Sequence, residues 1–159
     1  MPSFPSSPCS RRRSTGGPPA ANIQLARPDD ALRVAFAALA EPRRPETVVL
    51  LLDDEHRGSV VLICSDISEP SDVRQLASLL LEVRRSNPTL GAVVVATSRP
   101  DRGIMPTAED ERLFAAMRND FAEVSVELLD WFLVDAALVG SVAELSGACW
   151  LWHAPEPSG

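Results

Sequence analysis

The hydrophobic pattern of the chain begins late. Residues 1 to about 26 are dense in Pro, Ser, Gly and Arg and hold few apolar side chains. Such a stretch cannot bury enough surface to offset the entropy lost on ordering, so a disordered tail is expected there. The first periodic segment is "PDDALRVAFAALAEP", where Leu32, Phe36 and Leu39 fall at helical spacing. Asp29 or Asp30 can cap this helix, and Pro42 and Pro45 end it. "ETVVLLLD" is a near-continuous apolar run, the pattern of a strand buried on both faces. The polar "DDEHRG" then closes a hairpin with "SVVLICSDI".

"EPSDVRQLASLLLEVRRS" reads as a second helix, with Pro70 in its first turn and Leu76, Leu79, Leu80 and Val83 as its apolar stripe. "NPTLG" ends it, and "AVVVAT" is another short buried strand. After the polar loop "TSRPDRGIMPTAED", the segment "TAEDERLFAAMRND" predicts a third helix. "AEVSVELLD" alternates at Val124, Val126 and Leu128, as a strand with one buried face does. "WFLVDAALVGSVAEL" reads as two short strands joined by a turn, followed by one helical turn. The tail "CWLWHAPEPSG" frays after Trp152. The expected architecture is α/β or α+β, a mixed sheet with flanking helices. It comprises one domain over residues 27–152, between a disordered tail at 1–26 and a flexible one at 153–159.

Composition narrows the possibilities. A chain of 159 residues with 45% hydrophobic content supports one domain with its own core. No apolar run approaches the ~20 residues of a membrane span. The arginines near the N-terminus are followed by no apolar stretch, so a secretory signal is not indicated and the cytoplasm is the default. All 22 acids lie after Ala20 with 12 of the 15 arginines, a net of −10 for the body, while Arg11, Arg12 and Arg13 give the tail +3. A body this acidic repels phosphate backbones, so nucleic-acid binding by the folded part is disfavoured. The complete lack of lysine is read as a genomic composition bias. Cys9, Cys64 and Cys149 offer no C-x-x-C spacing, and Cys64 inside "VVLICS" reads as a free buried thiol.

Chemistry, if present, should sit in the loop "TSRPDRGIMPTAED". The order of elements and this loop together resemble the RadC-like branch of the JAB/MPN (JAMM) metallopeptidase fold over about Glu46 to Leu145. That family, of cytidine deaminase-like type, carries a Glu on an early strand and H-x-H after a later one. After ten intervening residues comes an Asp at a helix start, with a Ser three residues before it; RadC-like loops read HNHP, then P-S-x-x-D, then a downstream L-D-H. The resemblance puts Glu46 at the strand Glu, Thr97 and Arg99 at the two His positions, and Pro100 at the Pro that follows. Thr107 and Asp110 fall at the Ser and Asp, and "LLDWFLV" matches L-D-H with Trp131 in place of His. Zinc is the cofactor of intact members. Here only Asp110 survives of the three ligands, because a threonine hydroxyl is a poor zinc ligand and a guanidinium cannot coordinate. Without metal no water is activated for Glu46 to deprotonate. Glu46, Thr107 and Asp110 are then vestigial, and no metal or other cofactor is expected. The two histidines offer no replacement: His56 falls in the hairpin turn and His153 in the tail.

Local explanations compete with functional ones. "TAED" is a capping box, which alone accounts for Thr107 and Asp110. Glu46 at a strand edge needs no explanation as an exposed acid. If the family topology holds, Arg99 supplies a fixed cation between two carboxylates and pairs with Glu46 or Asp110. Thr97 or Ser98 as a nucleophile lacks a base and a G-x-S-x-G elbow, and "RPDRG" is no phosphate-binding loop. Trp131 is expected in the core; Trp150 and Trp152 are candidates for an exposed aromatic contact. The acids of "LLDDEHRG" read as a solvated turn. The function implied is a non-catalytic interaction or regulatory domain with an unidentified protein partner, the Arg-rich tail being an accessory contact. The alternatives are a JAMM-type metal-dependent peptidase or isopeptidase with an altered ligand set, and a DNA-repair-associated RadC-like protein.

Overall fold

A mixed sheet of six strands, in the order β1-β3-β2-β4-β5-β6, forms the middle layer of the computed structural model, which describes residues 9–12, 25, 27–135 and 138–145. The elements in chain order are β1 (Cys9–Arg12), α1 (Pro28–Ala38), β2 (Glu46–Asp53), β3 (Gly58–Ser65) and α2 (Pro70–Ser86). They continue with β4 (Leu90–Ser98), α3 (Ala108–Ala122), β5 (Glu127–Asp135), β6 (Leu138–Ser141) and α4 (Val142–Leu145). Only β4 and β5 run parallel, because α3 carries the chain back across the sheet between them; the other neighbours are antiparallel. The α+β class is the one the hydrophobic pattern predicts.

Both sheet faces are dry, which explains the unbroken apolar runs of β2 and β4. One face packs Val49, Leu51, Val93, Val95, Trp131 and Leu133 under α2, α3 and α4. The other packs Val48, Leu50, Leu52, Val94 and Phe132 under α1. Strand alternation thus assigns odd-numbered residues of β2 and β4 to the α2/α3 side and even-numbered ones to the α1 side. The surface of α1 buried deepest is Ala31, Ala35 and Leu39, with Leu32 and Phe36 only partly covered. Small side chains let this helix lie close on the sheet. Its N-cap is Arg27, whose backbone N–H donates to the Asp30 carboxylate at 3.1 Å.

Several elements differ from the sequence reading. The expected structureless tail gives way at Cys9–Arg12, which pairs with β3. Backbone hydrogen bonding to an open strand edge needs no apolar side chains, so composition carries no sign of it. Leu25 is also buried, its N–H donating to His56 O at 2.8 Å. Cys64 is disulfide-bonded rather than free, and its register partner across the β1–β3 pair is Cys9. Val124 and Val126 are not strand: Ser125 has φ 61°, and Val126 N–H donates back to Phe121 O at 3.0 Å, so this segment wraps the end of α3. Leu79 leaves the α2 stripe and is 57% exposed, since Val73, Leu76, Ala77 and Leu80 fill the buried face. Trp150, Trp152 and His153 lie outside the described residues. No described helix is long and apolar enough to cross a membrane.

The close seating of α1 makes a testable demand. Ala35→Leu should cost roughly 1–3 kcal/mol in urea denaturation by overpacking the α1 contact, while Leu79→Ser should stay within about 0.5 kcal/mol. Equal effects at the two positions would contradict the layer arrangement.

Candidate functional site

The loop after β4 is shaped by its own residues. Arg102 N–H donates to Arg99 O at 3.0 Å, closing a turn with Pro100 at its second position, where the proline ring presets φ. Gly103 follows at φ 75°, a left-handed conformation suited to glycine. The reversal brings the Gly103 and Met105 carbonyls back toward the end of β4. Close approach fixes the far side: a Cβ on Gly140 of β6 would lie 2.2 Å from Ile104 O. Arg102 adds an ion pair to Glu69 at the start of α2, at 2.6 Å.

Arg99 lies at the centre of this loop. Its Nη1 donates to Asp110 Oδ1 at 3.1 Å and its Nη2 to Asp110 Oδ2 at 2.8 Å, a two-pronged contact between side chains 2% and 0% exposed. Nη2 also donates to Met105 O and Nε to Gly103 O, each at 3.4 Å. Asp110 additionally accepts the Thr107 N–H at 2.8 Å, while its own N–H donates to Thr107 Oγ1 at 3.1 Å. The helix cap and the ion pair therefore share one carboxylate. Burial pushes the Asp110 pKa up, but the Arg99 hydrogen bonds and charge and the Thr107 contacts outweigh it and hold the group below the ordinary carboxylate range.

Thr97 is equally committed. Trp131 Nε1–H donates to Thr97 Oγ1 at 2.9 Å, and Thr97 Oγ1 lies 3.0 Å from Thr47 Oγ1. Thr47 donates its single hydroxyl proton to Ile67 O at 2.6 Å, so Thr97 must be the donor to Thr47. This buried chain joins β5, β4, β2 and the segment before α2 with every donor satisfied.

Glu46 stands apart. It pairs in register with Ser98, on the α1 side of the sheet, and Thr47 is the β2 residue that faces Thr97. The Glu46 carboxylate is buried and accepts the Ala40 N–H, with Arg44 Nε at 3.5 Å. Thus Thr97, Arg99, Thr107 and Asp110 gather on the α2/α3 side, and Glu46 engages the end of α1 instead. Its burial with backbone and arginine partners also replaces the picture of an exposed edge acid. Ser98 Oγ is buried with no hydrogen-bond partner among the described residues. His56 sits at the opposite end of β2 from Glu46.

The residue types do not suit zinc. Among the described residues no three His, Cys, Asp or Glu side chains come together as a metal cluster. Asp110 has both oxygens engaged by a permanent cation, and Thr97 has its hydroxyl engaged on both sides. Sequence reasoning missed Thr47, the two loop carbonyls and Asp130. Asp130 is buried and accepts from Trp131 N, Ser141 Oγ and Ala143 N, which ties β6 and α4 to β5. Its position within "LLDW" was the available signal.

The arrangement defines an α+β domain with a buried ion-paired loop at the carboxyl end of β4. The chain has UPF0758 homologues, the name of the RadC-like family, at about 30% identity. It is 31% identical over 123 residues to a UPF0758 protein of Shewanella baltica (strain OS185), covering 76% of this chain and 52% of that protein. A Shewanella amazonensis UPF0758 protein is 35% identical over 99 residues, covering 60% and 42% respectively. One from Burkholderia mallei (strain SAVP1) is 30% identical over 118 residues, covering 73% and 40%. The chain therefore spans about half or less of the length of these curated relatives. No family model matches it.

The lowered Asp110 pKa has a sign. A depressed carboxylate contributes stability above its unfolded pKa of about 3.9 and loses it as pH falls through the lower folded value. Unfolding free energy should therefore decline on acidification below about pH 4 more steeply in the native protein than in Asp110→Asn. Parallel pH profiles in that window would contradict the pairing.

Proposed function

We propose that this chain is a RadC-like domain of JAB/MPN type whose metal centre has been replaced by internal side-chain contacts. In this reading it acts as a non-catalytic protein-interaction or regulatory module. The observation that carries the proposal is the two-pronged Arg99–Asp110 contact. A hydrolytic zinc needs about three protein ligands and one open position for water. Here the sole ligand type retained by the resemblance is bound to a guanidinium; of the other two positions, Arg99 cannot coordinate and Thr97 is a poor ligand whose hydroxyl is already engaged. Glu46, the residue that would move a proton, is held by the end of α1 on the other side of the sheet. The acidic body favours a protein partner over nucleic acid; a cytoplasmic setting belongs to this proposal, with the Cys64 disulfide counting against it because such bonds persist in oxidising compartments.

Zinc content tests it. Tag-free protein measured by atomic emission should hold far less than one zinc per chain, with Asp110→Ala unchanged. About one tightly held zinc per chain, lost in Asp110→Ala, would instead favour a JAMM-type peptidase with an altered ligand set.

A further inference from the structure

The acceptors around Arg99 are disposed for a flat, forked cation, beyond what a simple ion pair requires. Four of the five guanidinium N–H donors are engaged: two by the Asp110 oxygens, one by Met105 O and one by Gly103 O. A hard metal ion placed there would find only Asp110 and two carbonyls, and would have to carry the rest of its oxygen shell as water into a site whose paired side chains are 2% and 0% exposed. An ammonium is a point charge and cannot reach the two carboxylate oxygens and the carbonyls together. We infer that Asp110, Gly103 O and Met105 O form a guanidinium-binding cradle, occupied in cis by Arg99, and that this occupancy sets the loop's conformation. The ligand class is a monosubstituted guanidinium. This extends the non-catalytic reading and shares its site, but its test uses no zinc measurement, so either can fail alone.

The experiment vacates the cradle and refills it. Arg99→Ala is titrated with methylguanidinium at low-millimolar concentrations, with methylammonium, magnesium and calcium as separate controls. Methylguanidinium should raise the Tm of Arg99→Ala by roughly 4 °C at about ten times its Kd, and the shift should then grow with the logarithm of its concentration. The native protein and Arg99→Ala/Asp110→Asn should not respond in this way. An equal response to methylammonium or a divalent cation would overturn the inference, as would no response in a folded Arg99→Ala. If Arg99→Ala does not fold alone, the unaltered protein supplies the readout by NMR. The Arg99 Nε and Nη protons should be resolved and exchange at least about tenfold more slowly than those of an exposed arginine such as Arg85. Exchange as fast as that of Arg85 would overturn the assignment.

Discussion

A permanent cation and a carboxylate, both sealed from water, govern the end of this domain where β4 runs out and α3 begins. Neither Arg99 nor Asp110 could be buried singly, because an unpaired charge in the interior carries a penalty of several kcal/mol. Paired in two-pronged fashion, they link three local features. The turn through Pro100 and Gly103 brings carbonyls toward the guanidinium, the Thr107 cap shares the Asp110 carboxylate, and Ile104 settles against Gly140. The pair is evidence for a specific loop geometry more than for high stability. A well-packed apolar substitute of similar volume could be as stable, whereas removal of one partner strands the other.

Beside it, the Trp131–Thr97–Thr47 chain performs the same task without charge. Each hydroxyl proton in the chain has an acceptor, and each strand it crosses is fixed in register with the next. Two adjacent groups on the α2/α3 side are thus polar, buried and held chiefly by internal partners. That leaves little free coordinating capacity and explains why an uninterrupted apolar core can surround them.

The main architecture was legible from hydrophobic spacing, since β2 and β4 are continuous apolar runs and α2 and α3 carry clear stripes. What spacing could not convey was cross-strand placement. Glu46 and Thr47 are neighbours in sequence, yet alternation sends one to α1 and the other to Thr97, and only the register of β2 on β4 decides which. The same limit hid β1, held by backbone hydrogen bonds that any composition can make. Val124 and Val126 imitated a strand because a helix exit bent through Ser125 happens to bury alternate positions. The capping box was readable at Thr107 and Asp110, because both of its partners lie within one turn.

Arg99 and Asp110 should behave energetically as one unit, because each is buried against the other. A double-mutant cycle with Arg99→Ala, Asp110→Ala and the double variant, followed by urea unfolding, measures their coupling. A favourable coupling free energy of about 2 kcal/mol or more is expected for this contact. Additive effects, with coupling near zero, would contradict the claim that the two side chains act as one unit.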